Sequence, residues 1–167
     1  MTKAAAWMAL VSGAAGAVVA ARVARSANRR AVRQVFRRWT ASQGSLFDLM
    51  TDDSVVVIPG TAPHCGTYSK SDFVREVATP FMARFSAPPT PRPRKIWSDG
   101  DDIAVLADAK GTARDGKPYS NSYVFVLKMR GGRIVRATEF LDMAAFNAVW
   151  DGVEPSPERR GNPGGAR

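Results

Sequence analysis

The first clear periodicity lies between about Ser26 and Thr40, where Val32, Val35, Phe36 and Trp39 recur at i, i+3, i+4 and i+7. This spacing predicts an amphipathic helix with one apolar stripe, its remaining sides carrying Arg29, Arg30, Arg33 and Arg37. Gly44 ends it, and Ser45 to Met50 reads as a short second helix. Ser54 to Ile58 is a run of β-branched residues, a strand stopped by Pro59-Gly60. A loop is expected from Thr61 to Thr67. Ser71-Asp72 then opens a helix with Phe73, Val74, Val77, Phe81 and Phe85 apolar, which Pro80 is expected to kink or interrupt. Ala87 to Pro93 reads as proline-rich extended chain.

Three long strands follow: Asp102 to Arg114, Pro118 to Met129, and Arg133 to Asp142. Asp115-Gly116 and Arg130-Gly131-Gly132 supply the hairpin turns between them. Met143 to Trp150 closes the pattern as a short helix. Helices come first and strands gather late, which predicts an α+β fold. The expected architecture is a cone-shaped, strongly curved antiparallel sheet wrapped over N-terminal helices, with a concave face suited to a small molecule. The expected boundaries are an apolar segment over residues 1–25, one domain over 26–152, and a disordered tail over 153–167, which is rich in Pro, Gly and charge.

Charge changes the picture only at the N-terminus. The chain has 167 residues and a net charge of +9, which first suggests nucleic acid. Residues 1–38 hold eight basic residues and no acidic one, leaving 16 basic against 15 acidic over the rest. The body of the domain thus lacks the basic surface that nucleic acid needs, and none is expected as a partner. Ala4 to Ala21 is uncharged and half alanine. It reads as a membrane anchor, a cleaved signal peptide, or a soluble extension. Arg22, Arg25, Arg29 and Arg30 follow directly, and such a flank resists translocation. The expected location is therefore cytoplasmic, with a possible tether to the inner membrane through residues 4–21; export after cleavage is the alternative. A single cysteine, Cys65, and a single histidine, His64, leave no disulfide framework and no zinc cluster. No metal and no cofactor is expected.

Candidate chemistry concentrates on the strands. Glu139 shares a strand face with Val135, Ala137 and Leu141, and a carboxylate in such company is costly unless paired. Burial would raise its pKa and make it a general acid or base; pairing with a cation such as Lys110 or Arg136 is the alternative. Asp142 lies three residues on, on the other face, and suits an N-cap. Asp108 and Lys110 share a face and could orient a ligand, or form a surface ion pair. Tyr119, Asn121, Tyr123 and Phe125 share a face of the next strand; Tyr123 and Asn121 could donate to a carbonyl oxygen, or the stripe is core. His64 is a candidate ligand contact or acid/base group at a pocket rim.

Four blocks then resemble a known family: Leu46-Phe-Asp-Leu-Met-Thr-Asp-Asp-Ser-Val55, Gly66-Thr-Tyr68, Asp115 to Tyr123, and Gly132 to Asp142. They look like the SnoaL-like branch of the nuclear-transport-factor-2-like superfamily, which includes ketosteroid isomerases, limonene epoxide hydrolases and polyketide cyclases. The resemblance covers about residues 30–151. It implies a hydrophobic small-molecule ligand, a homodimer, and Tyr68 among the ligand contacts. It also aligns the epoxide hydrolases' last-strand acid with Glu139 and their Arg-x-Asp pair with Asp108-Ala-Lys110. The first-strand groups of the isomerases and hydrolases meet aliphatic Val56 and Ile58 here. The resulting expectation is a cofactor-independent acid–base enzyme of isomerase, cyclase or hydratase type on a carbonyl compound, with a non-catalytic binding or dimerising module as the alternative.

Overall fold

Helix α1 (residues 26–40) forms where the apolar stripe predicts it, with Val32, Val35 and Phe36 buried. A computed structural model describes residues 26–157. The apolar run 4–21, with its anchor and signal-peptide readings, lies outside the described residues, as do residues 158–167. The Thr40 hydroxyl at the end of α1 lies 2.6 Å from the Pro91 carbonyl and so ties the helix to the sheet edge. Near the start of α1, buried Asn28 donates to Asp101 at 3.1 Å.

The segment after α1 is a single 3₁₀ turn, Leu46–Leu49, followed at once by strand β1 (Met50–Ile58). Strand β2 (Gly66–Ser69) pairs antiparallel with β1, so the expected loop ends one residue before Gly66. Its sequence, Gly-Thr-Tyr-Ser, has no apolar alternation to announce a strand. Helix α2 (Lys70–Phe73) continues through a π turn (Val74–Ala78) into α3 (Thr79–Met82). Pro80 therefore does not end the helix. The wide π turn just before it takes up the missing donor and the crowding of the ring.

Strands β3 (Phe85–Asp99), β4 (Asp102–Ala113), β5 (Pro118–Arg130) and β6 (Arg133–Leu141) complete the sheet, in the order β2-β1-β6-β5-β4-β3. The proline-rich segment is the first half of β3, a strand longer than the sequence suggests. Its four prolines are tolerated because β3 is an edge strand, where missing donors face no partner. All neighbouring pairs are antiparallel except β1 with β6, which run parallel after a long crossover. The fold is α+β, with a six-stranded mixed sheet that is not closed.

Helix α4 (Met143–Gly152) begins at Asp142, whose carboxylate accepts from the Ala144 and Ala145 amides at 2.9 and 3.2 Å. Asp142 is thus the N-cap that its spacing predicts. Beyond α4 the chain stays packed: Val153 is buried, and the Ser156 amide donates to the Ala83 carbonyl at 2.8 Å. The tail expected from residue 153 thus begins too early, because Val153 still covers the core. That core lies between the helices and one sheet face, around Phe36, Phe125, Leu127, Ile134 and Ile103.

Candidate functional site

Strand β6 alternates so that Ala137, Glu139 and Leu141 point to the helix side while Arg136 and Phe140 point away. The register slips between Lys128 and Met129, so Ile134, not Val135, continues the inward face. Glu139 sits directly opposite Phe125 in the β5–β6 ladder. Its side chain reaches a cavity of about 170 Å³ between the concave sheet face, α1 and the α2–α3 helix. Ser45, Tyr123 and Glu139 bring the main polar groups to the wall; Trp39, Phe47, Phe73, Phe81, Phe125 and aliphatic residues supply nearly all the rest. An apolar space of this size accepts a ring-sized organic molecule.

Glu139 has no cation partner among the described residues, and burial alone pushes its carboxyl up to about 7. Charging a carboxyl inside an apolar wall forfeits hydration that nothing nearby replaces. The alternative pairings fail on geometry. Arg136 is exposed on the far face, and Lys110 is exposed on the outer face of β4.

The other nominated residues divide cleanly. Tyr123 lines the cavity, and its ring stacks on Phe125 at 5.5 Å. Burial holds its phenol well above the usual range, and Tyr119 and the Glu139 charge push it the same way. Asn121 is buried behind the wall, not in it. Its Nδ2 donates to the Asp142 carbonyl at 2.9 Å and to the Tyr119 hydroxyl at 2.8 Å, and its Oδ1 accepts from the Asp142 amide at 3.0 Å. Both amide protons are used, so Asn121 has none left for a ligand.

Asp108 and Lys110 lie on the outer face, because period-two alternation turns Ala107 and Ala109 inward instead. Asp108 accepts from Ser122 at 2.8 Å and pairs with Arg94 at 3.6 Å. The sheet does not bring this pair to Glu139. His64 and Tyr68 also stand off the cavity. His64 adopts φ of 68° and packs tilted against Trp150 with ring centroids 3.8 Å apart. Burial, aided by Arg84, lowers its pKa against the pull of Asp151. Tyr68 donates to the His64 carbonyl at 3.0 Å and so closes the turn. No cluster of His, Cys, Asp or Glu suited to a metal ion occurs among the described residues.

Ser45, Phe47, Pro89 and Pro91 also contribute to the cavity wall. The sequence carries no signal for them, since they converge only when the edge strand and the turn after α1 fold over the sheet.

A family model described as SnoaL-like domain matches residues 32–137. Similar solved structures include Bal32a from a soil-derived mobile gene cassette, with TM-score 0.63, 15% identity, and coverage of 75% of this chain and 98% of that one. TerC co-crystallized with polyporic acid gives TM-score 0.61 at 19% identity, over 75% of this chain and 98% of its own. Wild-type IdmH from Streptomyces antibioticus, a candidate polyketide cyclase, gives TM-score 0.58 at 20% identity, over 74% and 98%. These likenesses carry the fold. No curated protein matches the chain.

Proposed function

Because the chain belongs to the SnoaL-like domain family, we propose that its cavity holds a small hydrophobic carbonyl compound on which Glu139 moves a proton. The observation that carries this reading is a carboxyl buried in an apolar wall, without a cation, with its pKa pushed up to about 7. Near neutral pH such a group is present in both protonation states, so it can take a proton from carbon or water and return it. The Tyr123 hydroxyl, in the same wall, supplies a donor to the oxygen on which charge develops. The polyketide-cyclase description of IdmH is in keeping with a cyclic carbonyl ligand. The chemistry requires no cofactor.

The test is a thermal-shift screen of the full chain against polycyclic and terpenoid carbonyl compounds, followed by Glu139→Gln on whatever binds. Turnover is expected to fall by on the order of a hundredfold or more with affinity little changed. Unchanged turnover would reject the catalytic role, and no turnover in either protein would leave a binding module.

A specific observation favours association in either case. On the outer sheet face Trp97, Val126 and Phe140 are exposed; the register puts Phe140, Val124 and Leu106 in one row and Val126, Ala104 and Trp97 in the next. A contiguous apolar patch of this kind suits a two-fold contact with a second copy. We further propose that the domain is cytoplasmic and tethered to the inner membrane through residues 4–21, on the strength of the uncharged run and the arginines behind it. Among the described residues no helix is long and apolar enough to cross a membrane.

A further inference from the structure

The polar groups behind the cavity wall form a chain with one direction. Where β6 ends, the Asp142 amide and carbonyl no longer have a ladder partner on β5. The Asn121 side chain replaces that partner, accepting from the Asp142 amide at 3.0 Å and donating to its carbonyl at 2.9 Å. This two-point contact fixes which end of the Asn121 amide is oxygen and which is nitrogen. The second proton on Nδ2 therefore goes to the Tyr119 hydroxyl at 2.8 Å.

Tyr119 is buried, and Phe81 and Phe85 meet its ring edge-on at 5.7 and 5.3 Å. Among the described residues its own hydroxyl proton has one acceptor in reach, the Tyr123 oxygen at 3.0 Å. The opposite orientation would leave a buried O–H without a partner, which is the costlier arrangement. With the Tyr123 oxygen accepting from Tyr119, the Tyr123 proton is left free for another acceptor, and Tyr123 is a residue of the cavity wall.

We propose that Asn121 and Tyr119 are positioning residues that set the Tyr123 hydroxyl as a one-way hydrogen-bond donor into the cavity, so that the site selects a ligand presenting a carbonyl or enolate oxygen. The inference rests on the cavity being the binding site. A donor that is itself hydrogen-bonded on its oxygen gives its proton more readily, since the chain polarises along its length. Asn121 and Tyr119 touch no ligand and act through Tyr123.

Two measurements test this, one without ligand. The chain has only three tyrosines, Tyr68, Tyr119 and Tyr123, so ring-carbon labels at Cζ give three resolvable signals. Tyr119→Phe is expected to shift the Tyr123 signal and leave that of Tyr68 in place; an unmoved Tyr123 signal overturns the proposal. The second uses carbonyl-labelled acetophenone at pH 6 and reads its infrared C=O stretch when bound. The stretch is expected at lower frequency in the unaltered protein, at higher frequency in Tyr123→Phe, and between them in Tyr119→Phe. Affinity is expected to drop roughly tenfold in Tyr123→Phe and less in Tyr119→Phe. In the double variant Tyr119→Phe is expected to add nothing, because its effect passes through Tyr123. Equal effects of Tyr119→Phe with and without Tyr123 would overturn the positioning role. If acetophenone does not bind while the Tyr123 ring signal responds to Tyr119→Phe, the relay stands and the ligand class fails.

Discussion

Glu139 ties the cavity's chemistry to the protein's stability. Its carboxyl is pushed up to about 7 by burial, against an ordinary value of 4.5. Between those values the folded protein holds a proton that the unfolded chain has released, so stability falls as pH rises through that window and levels off above it. Glu139→Gln lacks this slope. Urea unfolding is expected to give equal stabilities near pH 4 and a variant more stable above pH 7 by up to roughly 3 kcal/mol. A variant less stable than the unaltered protein above pH 7 would mean that the carboxylate has a cation partner. The residue was legible from sequence because an acid between Ala137 and Leu141 breaks an otherwise apolar inward face. Asn121 was legible as a polar group on the strand's aromatic face, but its role was not, since its partner Asp142 is 21 residues away and meets it only when β5 and β6 pair. Asp108 and Tyr123 were both nominated, yet the β4–β5 register pairs Asp108 with Ser122 and Tyr123 with Ala107, which puts them on opposite faces.

At the scale of elements, the edge strand shapes the cavity. Strand β3 slips register opposite Gly111, between its pairs at Ala87 and Thr90, and Pro89 within the slip and Pro91 just beyond it line the cavity. A Cβ at Gly111 would stand 2.7 Å from the Ala87 carbonyl oxygen and 2.8 Å from the Pro89 nitrogen, both backbone atoms. Gly111→Ala is therefore expected to push β3 outward, lowering the melting temperature by roughly 3–10 °C and weakening ligand binding together. Calorimetry on the variant checks this; an unchanged melting temperature would show that β3 yields at no cost. The long hairpins were legible because Asp115-Gly116 and Gly131-Gly132 punctuate alternating strands. Strand β2, the first half of β3 and the π turn before Pro80 were not, because each breaks a local rule that tertiary contacts then compensate.

At the scale of the molecule, the sheet has one face against the helices and one apolar patch left outside. The full chain, 18.0 kDa, is expected to scatter light as a dimer at high micromolar concentration, and Phe140→Asp is expected to return it to a monomer. A monomeric full chain under those conditions would remove the outer face as a contact. The charge shift near residue 25 and the packing of Val153 and Ser156 set the expected limits of the folding unit at 26–157, slightly beyond those read from sequence. That fragment is expected to unfold cooperatively by itself; a non-cooperative fragment beside a cooperative full chain would place residues 1–25 in the core. The fold class was legible because helices precede strands along the chain, whereas the cavity's walls depend on how the sheet bends over them. The protonation of Glu139 decides the chemistry of the cavity most directly. The measurement is infrared difference spectroscopy of the unaltered protein against Glu139→Gln, following the carboxylic-acid C=O band across pH. A band that disappears with a midpoint of about 7 is the predicted result, and a midpoint near 4.5 would contradict it.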